Sequence, residues 1–180
     1  MASELRVDKI LPVDGAPTGG GGGVIQVTQG SMTTRSLTSS NSYVTTGLSG
    51  TITPKINTSK VLVTVTTSAT WNSGEATLAV IIRRKVGGSY LANSPLGSTG
   101  HGNVNTPDGA TMGAYDGAGG SQNNQMPMTV QWWDSPATTS AITYELWMAG
   151  NGTTTVGVGG IGDNAGYNIY SQIVMMEVSA

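Results

Sequence analysis

Most of the chain after residue 23 consists of short stretches in which apolar and polar side chains alternate. A period of two places successive side chains on opposite faces of a β-strand. The clearest stretch is Lys60–Trp71 (KVLVTVTTSATW), which places on one face Val61, Val63, Val65 and Ala69. Ala76–Val86 follows after a short Asn-Ser-Gly turn, so the two stretches are predicted to form a hairpin. The side chains predicted to point inward from the second strand are Leu78, Val80 and Ile82.

Further stretches of the same kind predict more strands, and no sustained helical period of 3.6 residues occurs. They are Val24–Gln29, Tyr43–Thr53 with a break near Gly47, Thr111–Tyr115, Met128–Trp133, Ile142–Met148, Thr153–Val158 and Ser171–Val178. The polar segment Ser31–Ser42 and the rest of the glycine- and asparagine-rich residues 93–125 are predicted to be loops. A loop as long as the second is either functional or held by neighbouring subunits. The pattern predicts an all-β domain over residues 24–180, an antiparallel, jelly-roll-like β-sandwich.

A separate arm precedes this domain in the sequence. Its alternation predicts an extended conformation for Ser3–Asp14, with two opposite sets of side chains: Leu5, Val7, Lys9 and Leu11, and Arg6, Asp8, Ile10 and Pro12. Five consecutive glycines, Gly19–Gly23, predict a flexible joint. We therefore divide the chain into an extended N-terminal arm (1–18), a glycine joint (19–23) and the β-sandwich (24–180). Because an arm this short cannot form a core, we expect another protein to hold it.

Composition narrows the function classes. Only 10% of residues are charged and the net charge is −2, so the basic face needed for nucleic-acid binding is not expected. The absence of cysteine excludes disulfides and thiol chemistry. No apolar run approaches the length of a membrane span, and the first residues, MASELRVDK, lack the apolar core of a signal peptide. We expect a protein made in a cytoplasm, without membrane insertion.

The motifs that would indicate catalysis or metal binding are weak. Gly157, Gly159 and Gly162 match the spacing of a dinucleotide fingerprint, but a loop-like sequence follows where a helix is required. The single histidine, His101, has neither a nucleophile motif nor zinc-ligand spacing around it. Asp134 and Glu145 lie on adjacent predicted strands, where they could face each other as a glycosidase pair. Asp134 also fits a turn in Asp-Ser-Pro. Because each of these motifs lacks the residues that its chemistry requires, we expect no enzyme, no metal and no cofactor.

The adjacent pair Trp132-Trp133 is the best candidate for a contact surface within the domain. In a strand, one of two neighbouring side chains points inward and the other outward. An outward tryptophan indicates a subunit interface first and a sugar platform second. We therefore include Trp132, Trp133 and the loop residue His101 as candidate contacts with a neighbouring surface or a host glycan.

The order of several segments resembles that of virion fibre and decoration proteins of tailed phages, especially marine and cyanobacterial phages. The segments are the anchor Leu5–Gly15, the spacer Gly19–Gly23, the strand Val24–Gln29, Ser42–Pro54 with Ser59–Val63, Asp134–Met148 and Ile173–Glu177. The resemblance covers most of the chain and lies in the order of the motifs. It implies a trimeric β-sandwich carried on the virion by its N-terminus. Long fibres have shafts and several tip domains, whereas this chain has one predicted domain, which favours a short fibre, a spike or a head-surface protein.

Together these observations predict a phage virion structural protein, a short tail fibre or spike. We expect it to form a homotrimer, because a Gly- and Thr-rich domain with exposed strand edges gains burial by self-association. Other virion proteins are the expected partners of the arm, through the side chains of Leu5, Arg6, Val7, Asp8, Lys9, Ile10 and Leu11. The alternatives are a head decoration or head-fibre protein, and a carbohydrate-binding module for host recognition.

Overall fold

The chain folds as a two-sheet β-sandwich. A computed structural model describes residues 23–71, 76–96, 110–114, 124–160 and 168–179, and these contain strands and no helix. The strands are β1 Val24–Met32, β2 Ser36–Thr38, β3 Val44–Ile52, β4 Lys60–Trp71, β5 Ala76–Val86, β6 Ser89–Leu96, β7 Ala110–Ala114, β8 Asn124–Asp134, β9 Ile142–Ala149, β10 Val156–Val158 and β11 Ser171–Val178. Every pairing between them is antiparallel. The all-β prediction is confirmed.

Several short strands lie end to end and occupy one position in a sheet. Each such position, filled by one strand or by two strands end to end, is called a row. In sheet 1, β10 and β11 pair with successive parts of the same edge of β4, and β1 and β2 continue the row outside them. The other edge of β4 pairs with β8 along its length. In sheet 2, β5 has β9 on one edge, and β6 and β7 share the other, while β3 lies outside β9. Each sheet therefore has four rows.

The connectivity of these rows is that of a jelly roll. Numbered along the chain, the rows are β1/β2, β3, β4, β5, β6/β7, β8, β9 and β10/β11. Sheet 1 then reads 1-8-3-6, and sheet 2 reads 2-7-4-5. Consecutive rows thus cross between the sheets, except rows 4 and 5, which are neighbours. This is the double Greek key of a jelly roll, and the jelly-roll-like prediction is confirmed.

The core lies between the two sheets and is formed by the inward side chains of their strands. The inward side chains of β4, β5, β9 and β11 are almost fully buried, among them Val61, Val63, Val65, Leu78, Val80, Ile82, Ile142, Leu146, Met148, Ile173 and Met175. The inward faces predicted for Lys60–Trp71 and Ala76–Val86 are therefore confirmed. Burying large aliphatic side chains of this kind stabilises a fold by about 1.5–3 kcal/mol each.

The predicted hairpin between Lys60–Trp71 and Ala76–Val86 is wrong. Both strands have the predicted bounds, but β4 lies in sheet 1 and β5 in sheet 2. Each is an inner strand whose two edges are already paired. The two strands meet through their buried faces, across the core. An alternating apolar pattern indicates that one face of each strand is buried. It does not indicate whether two consecutive strands pair edge to edge or pack face to face.

Two predicted loops contain strands. In Ser31–Ser42, β1 continues to Met32 and β2 pairs with β10, because backbone pairing at a sheet edge does not require apolar side chains. In residues 93–125, β6 extends to Leu96 and β8 begins at Asn124, whereas β7 corresponds to the predicted strand Thr111–Tyr115 and pairs with β5. The break predicted near Gly47 is a register shift in the pairing of β3 with β9, and Gly47 has φ of 86°. The arm and most of the glycine joint lie outside the described residues.

Candidate functional site

The two tryptophans of β8 point to opposite sides of sheet 1. Trp132 packs against the core, whereas 55% of Trp133 is exposed. The alternation of a strand requires this arrangement, and the prediction that one of the pair points outward is confirmed. The other candidate contact, His101, and the arm side chains Leu5, Arg6, Val7, Asp8, Lys9, Ile10 and Leu11 lie outside the described residues, so their roles stay predictions.

Trp133 is the end of a cross-strand row, a line of apolar side chains that runs from strand to strand across the outer face of sheet 1. The register places Trp133 opposite Leu62, Leu62 opposite Met176, and Met176 opposite Val27. Leu62 and Met176 are half-buried, and Val27 is 53% exposed. Because cross-strand neighbours on one face have their Cβ atoms about 5 Å apart, these four side chains form a continuous line across the sheet.

The adjacent row extends this apolar surface toward the end of the sheet. It runs from Val24 through Val178 to Lys60, and the turn residue Ser135 follows β8 at the same level. Val24 is 53% exposed. Lys60, Trp133, Ser135 and Val178 line an open depression of about 390 Å³. We name the six apolar residues of the two rows the apolar band: Val24, Val27, Leu62, Trp133, Met176 and Val178.

The apolar band has a polar border on the same face. The next row toward the other end of the sheet contains Gln29, Val174, Thr64 and Gln131. Gln131 Nε2 donates a hydrogen bond to Thr64 Oγ1 at 3.3 Å, and Gln172 Nε2 donates to Gln29 Oε1 at 2.6 Å. Among the described residues, the large hydrophobic side chains classed as exposed are Val24, Val27, Trp133 and Tyr170. Three of these four belong to the band, so exposed apolar surface is concentrated there.

The chain enters the domain at the edge of this band. Gly23 N donates to Ser179 Oγ at 3.1 Å, and Ser179 N donates to Gly23 O at 3.0 Å. The next residue, Val24, is itself part of the band and pairs with Val178. Gly23, the first described residue, is thus fixed to the residue that follows β11, at the border of the apolar band.

The outer face of sheet 2 has a different character. Lys85 Nζ donates to Glu145 Oε1 at 2.6 Å, and Tyr90 and Trp147 also donate hydrogen bonds to the Glu145 carboxylate. The Arg83 guanidinium lies 4.2 Å from the Tyr90 ring centre and 4.5 Å from that of Trp147. Burial acts to raise the pKa of Glu145, but the three hydrogen bonds outweigh it and lower the pKa. On this face the charges of Lys85 and Glu145 are therefore paired with each other, and Arg83 packs against two aromatic rings.

Two further carboxylates, those of Asp134 and Glu177, are buried in the sandwich. Asp134 is buried and accepts hydrogen bonds from Arg84 Nη1 at 2.6 and 2.7 Å and from the Tyr144 hydroxyl at 2.7 Å. Burial, followed by the Asp134 charge, raises the pKa of Tyr144. Because these contacts join β8 of sheet 1 to β5 and β9 of sheet 2, the Asp134 cluster connects the two sheets. Glu145 lies on the outer face of sheet 2, so Asp134 and Glu145 do not face each other as a glycosidase pair.

Glu177 on β11 holds the connection between β3 and β4. Its carboxylate accepts hydrogen bonds from the backbone N–H groups of Lys55 (2.8 and 3.0 Å) and Ile56 (3.1 Å), from Ser59 Oγ (2.7 Å) and from Gln26 Nε2 (2.6 Å). Burial acts to raise the pKa of Glu177, but these hydrogen bonds lower it. Glu177 therefore has a structural role that its position in an apolar strand did not indicate.

Acidification should destabilise the domain through Glu177. A folded-state pKa below the ordinary value of about 4.3 gives stability that is complete above that value and is lost as the pH falls through the folded pKa. Glu177→Gln should lower the free energy of unfolding by about 2 kcal/mol at pH 7. The difference between wild type and variant should shrink as the pH falls below about 4. Urea unfolding from pH 3 to 7 measures both, and a difference that stays constant with pH would contradict the assignment.

The described residues contain no group of three or more His, Asp or Glu side chains placed to hold a metal ion. In the same ranges, no helix has the length and apolar character needed to cross a bilayer. Of the glycine spacing considered above, Gly157 lies in β10 and Gly159 has φ of 76° in the turn after it, while Gly162 lies outside the described residues. The apolar band is therefore the best candidate for a functional surface in the described part of the chain.

The chain is distantly similar to chains in solved structures of infectious bursal disease virus. No protein-family model matches the chain, and no curated protein matches it. A chain in the structure of the Gx strain of infectious bursal disease virus superposes with a TM-score of 0.41 at 13% identity. A chain from the Gt strain gives 0.29 at 14% identity. Both matches cover all of this chain and 41% of the other, so this chain spans 41% of their length.

Proposed function

We propose that this chain is a structural protein of a tailed-phage virion, a short tail fibre or spike that forms a homotrimer. The apolar band carries the proposal: a jelly roll that exposes uncharged apolar side chains on one sheet face is built to contact another protein surface. The fold agrees with it, because jelly rolls are common in viral capsid and lectin domains, although a fold alone does not determine function.

The N-terminal arm is the proposed attachment to the particle. Ser3–Asp14 has the alternating pattern of a strand, and extended segments commonly bind by adding a strand to the edge of a partner's sheet. The side chains proposed to contact the partner are Leu5, Arg6, Val7, Asp8, Lys9, Ile10 and Leu11. Since Gly23 is fixed to Ser179, a docked arm would present the jelly roll with its apolar band close to the attachment point.

Removal of residues 1–18 tests this attachment. The truncated chain should retain its far-UV circular dichroism and its unfolding midpoint, because β1 and its contacts begin after the deletion. It should be absent from purified particles, as measured by quantitative mass spectrometry. Full-length Leu5→Asp/Val7→Asp should lose incorporation in the same way, and Thr51→Asp, an exposed change on sheet 2, is the matched control. Incorporation of the truncated chain at the wild-type level would refute the proposal.

The position on the particle distinguishes the proposal from its nearest alternative. A short tail fibre or spike lies on the tail, whereas a head decoration or head-fibre protein lies on the capsid. Antibody labelling of intact particles, viewed by electron microscopy, separates the two. Label on the tail supports the fibre or spike, and label on the head surface supports the alternative.

A carbohydrate-binding module is a second candidate, favoured by the depression beside Trp133. An exposed indole is a platform for a sugar ring, and Lys60 and Ser135 add polar groups at the same place. A glycan array with wild type and Trp133→Ala tests it, with Tyr170→Ala as the control because Tyr170 is equally exposed. Binding that Trp133→Ala abolishes supports this candidate, and a blank array counts against it.

A further inference from the structure

We propose that the apolar band is the surface through which copies of this chain associate, with β1 of one copy beside β8 of the next. This inference rests on the proposed homotrimer and adds to it the contacting surface and the residues that meet. It is argued from the band's composition, its size and the order of its side chains across the sheet.

The composition of the band is that of the centre of a protein interface. Interface centres are rich in aromatic residues and methionine and poor in Lys, Glu and Asp, and a polar rim surrounds them. The band contains Trp133 and Met176 among aliphatic side chains, and Lys60 lies at its border. The adjoining row supplies amide and hydroxyl groups, which can both donate and accept hydrogen bonds. A second copy presents the same groups, so no charge must be buried when the two meet.

The size of the surface explains why association needs several contacts. Four strands about 4.8 Å apart, with same-face residues about 6.8 Å apart, give the two apolar rows an area of roughly 260 Å². Adding two polar rows raises it to roughly 500 Å², below the roughly 800 Å² per partner of a standard stable interface. A single pair of copies should therefore bind weakly. A closed ring, in which each copy contacts two others, and a shared attachment point both strengthen such a contact.

The order of side chains across the sheet selects which edges meet. The row runs Val27, Met176, Leu62, Trp133, with a small side chain on β1 and the largest on β8. When three copies turn this face toward an axis parallel to the strands, β1 of each copy meets β8 of the next. The small Val27 then receives the large Trp133 of the neighbour, while Leu62 and Met176 line the axis. The outer face of sheet 2, with its internally paired charges, stays in solvent.

Sedimentation velocity on the full-length chain over a series of concentrations tests the surface. Wild type should associate reversibly, and Trp133→Glu should move the association midpoint to a concentration at least about 30-fold higher, the effect of losing a strong interface residue. Tyr170→Glu is the matched control, because Tyr170 is exposed to the same extent outside the band. Circular dichroism checks that both variants fold. A wild type that remains monomeric throughout, or a Trp133→Glu variant that associates as well as wild type, overturns the proposal.

Cysteine cross-linking tests which edges meet, and the chain has no native cysteine to interfere. The band variant, Gln29→Cys/Gln131→Cys on the polar border of the band, leaves Val27 and Trp133 in place. Treated with a short bismaleimide, it should give a product of three chains, whereas each single variant should give none. Thr51→Cys/Ser89→Cys, on exposed residues of the edge strands of sheet 2, is the control and should stay monomeric. A product of two chains supports the β1–β8 contact but contradicts the trimer. Cross-linking in the control equal to that in the band variant overturns the contact.

The association experiments and the incorporation experiment test different claims, so each claim can be refuted without the other. Loss of particle incorporation on removal of residues 1–18 concerns the arm, and it does not depend on whether copies meet through sheet 1. A chain that needs its arm for incorporation but stays monomeric refutes the band contact alone. A chain that associates through the band but enters particles without its arm refutes the attachment alone.

Discussion

Gly30→Ala should destabilise the domain by at least about 3 kcal/mol. A Cβ atom on Gly30 would lie 1.8 Å from the carbonyl oxygen of Ser49 and 3.0 Å from the Cα of Gly50. Both are backbone atoms of β3, so no side chain can rotate away and the two sheets must separate locally. Overpacking a well-packed interior typically costs about 1–3 kcal/mol, and this contact is closer than a rotamer change can relieve. Urea unfolding at a fixed protein concentration measures the change.

The reason for this sensitivity is that β1 and β3 close one side of the sandwich. Thr28 Oγ1 donates to the carbonyl oxygen of Thr51 at 3.0 Å, and Gln26 Nε2 donates to that of Thr53 at 2.7 Å. The two edge strands are thus bound to each other where Gly30 permits their backbones to approach. Ser31→Ala, at an exposed neighbouring position, is the control and should change the free energy of unfolding by less than about 0.5 kcal/mol. A Gly30→Ala variant as stable as the control would contradict the described approach.

Asp134→Ala should lower the free energy of unfolding by about 3–5 kcal/mol, because it removes one partner of a buried ion pair. The Arg84 guanidinium would lose its carboxylate, and the Tyr144 hydroxyl would lose its acceptor. The side chains of Arg84 and Asp134 are only 14% and 6% exposed, so water replaces little of the lost interaction. Chemical denaturation of the purified variant at pH 7 gives the value.

Two controls separate the buried charge from the hydrogen bonds. Tyr144→Phe removes one donor and leaves the ion pair, so it should cost about 1.5–3 kcal/mol, the usual range for a hydrogen bond to a charged group. Lys85→Met breaks the more exposed pair with Glu145 on sheet 2, where exposed pairs contribute about 0–1 kcal/mol. If Asp134→Ala were no more harmful than Lys85→Met, the proposed role of Asp134 in joining the sheets would be wrong.

The strands whose inner faces alternate strictly could be predicted from the sequence. β4, β5 and β11 have the predicted bounds, and β9 differs by one residue, because apolar side chains occupy most of their inward positions. The pattern does not predict β2, because a three-residue strand at a sheet edge can pair through its backbone without apolar side chains. The partner of each strand was harder to predict, as the β4–β5 hairpin shows: alternation indicates that a face is buried, but it does not specify the strand on either edge.

The candidate site was only partly visible in the sequence. Trp133 could be predicted, because two adjacent tryptophans in one strand must point to opposite faces. The rest of the apolar band could not, since Val27, Leu62 and Met176 come from strands far apart in the chain. Only the register of the sheet aligns them. In the sequence, each is one apolar residue at a position where the alternation expects a polar one, and a single exception of this kind is common on protein surfaces.

The polar contacts inside the sandwich could not be predicted from the sequence either. The sequence around Asp134 fits a turn residue or half of a carboxylate pair, whereas in the structure Asp134 is the buried partner of Arg84 and Tyr144. Nothing in the spacing of these residues indicates the contact, because Arg84 and Asp134 lie in different sheets. Long-range polar contacts of this kind depend on how the sheets are stacked, which the jelly-roll connectivity determines and the local pattern does not.

A cryo-electron microscopy map of the intact particle tests the central claim most directly. The account predicts three copies of the jelly roll around an axis, with Trp133 of each copy buried against Val27 of the next and residues 3–14 lying on another virion protein. A map that shows this chain with sheet 1 facing solvent and the arm in contact with no other protein would contradict it.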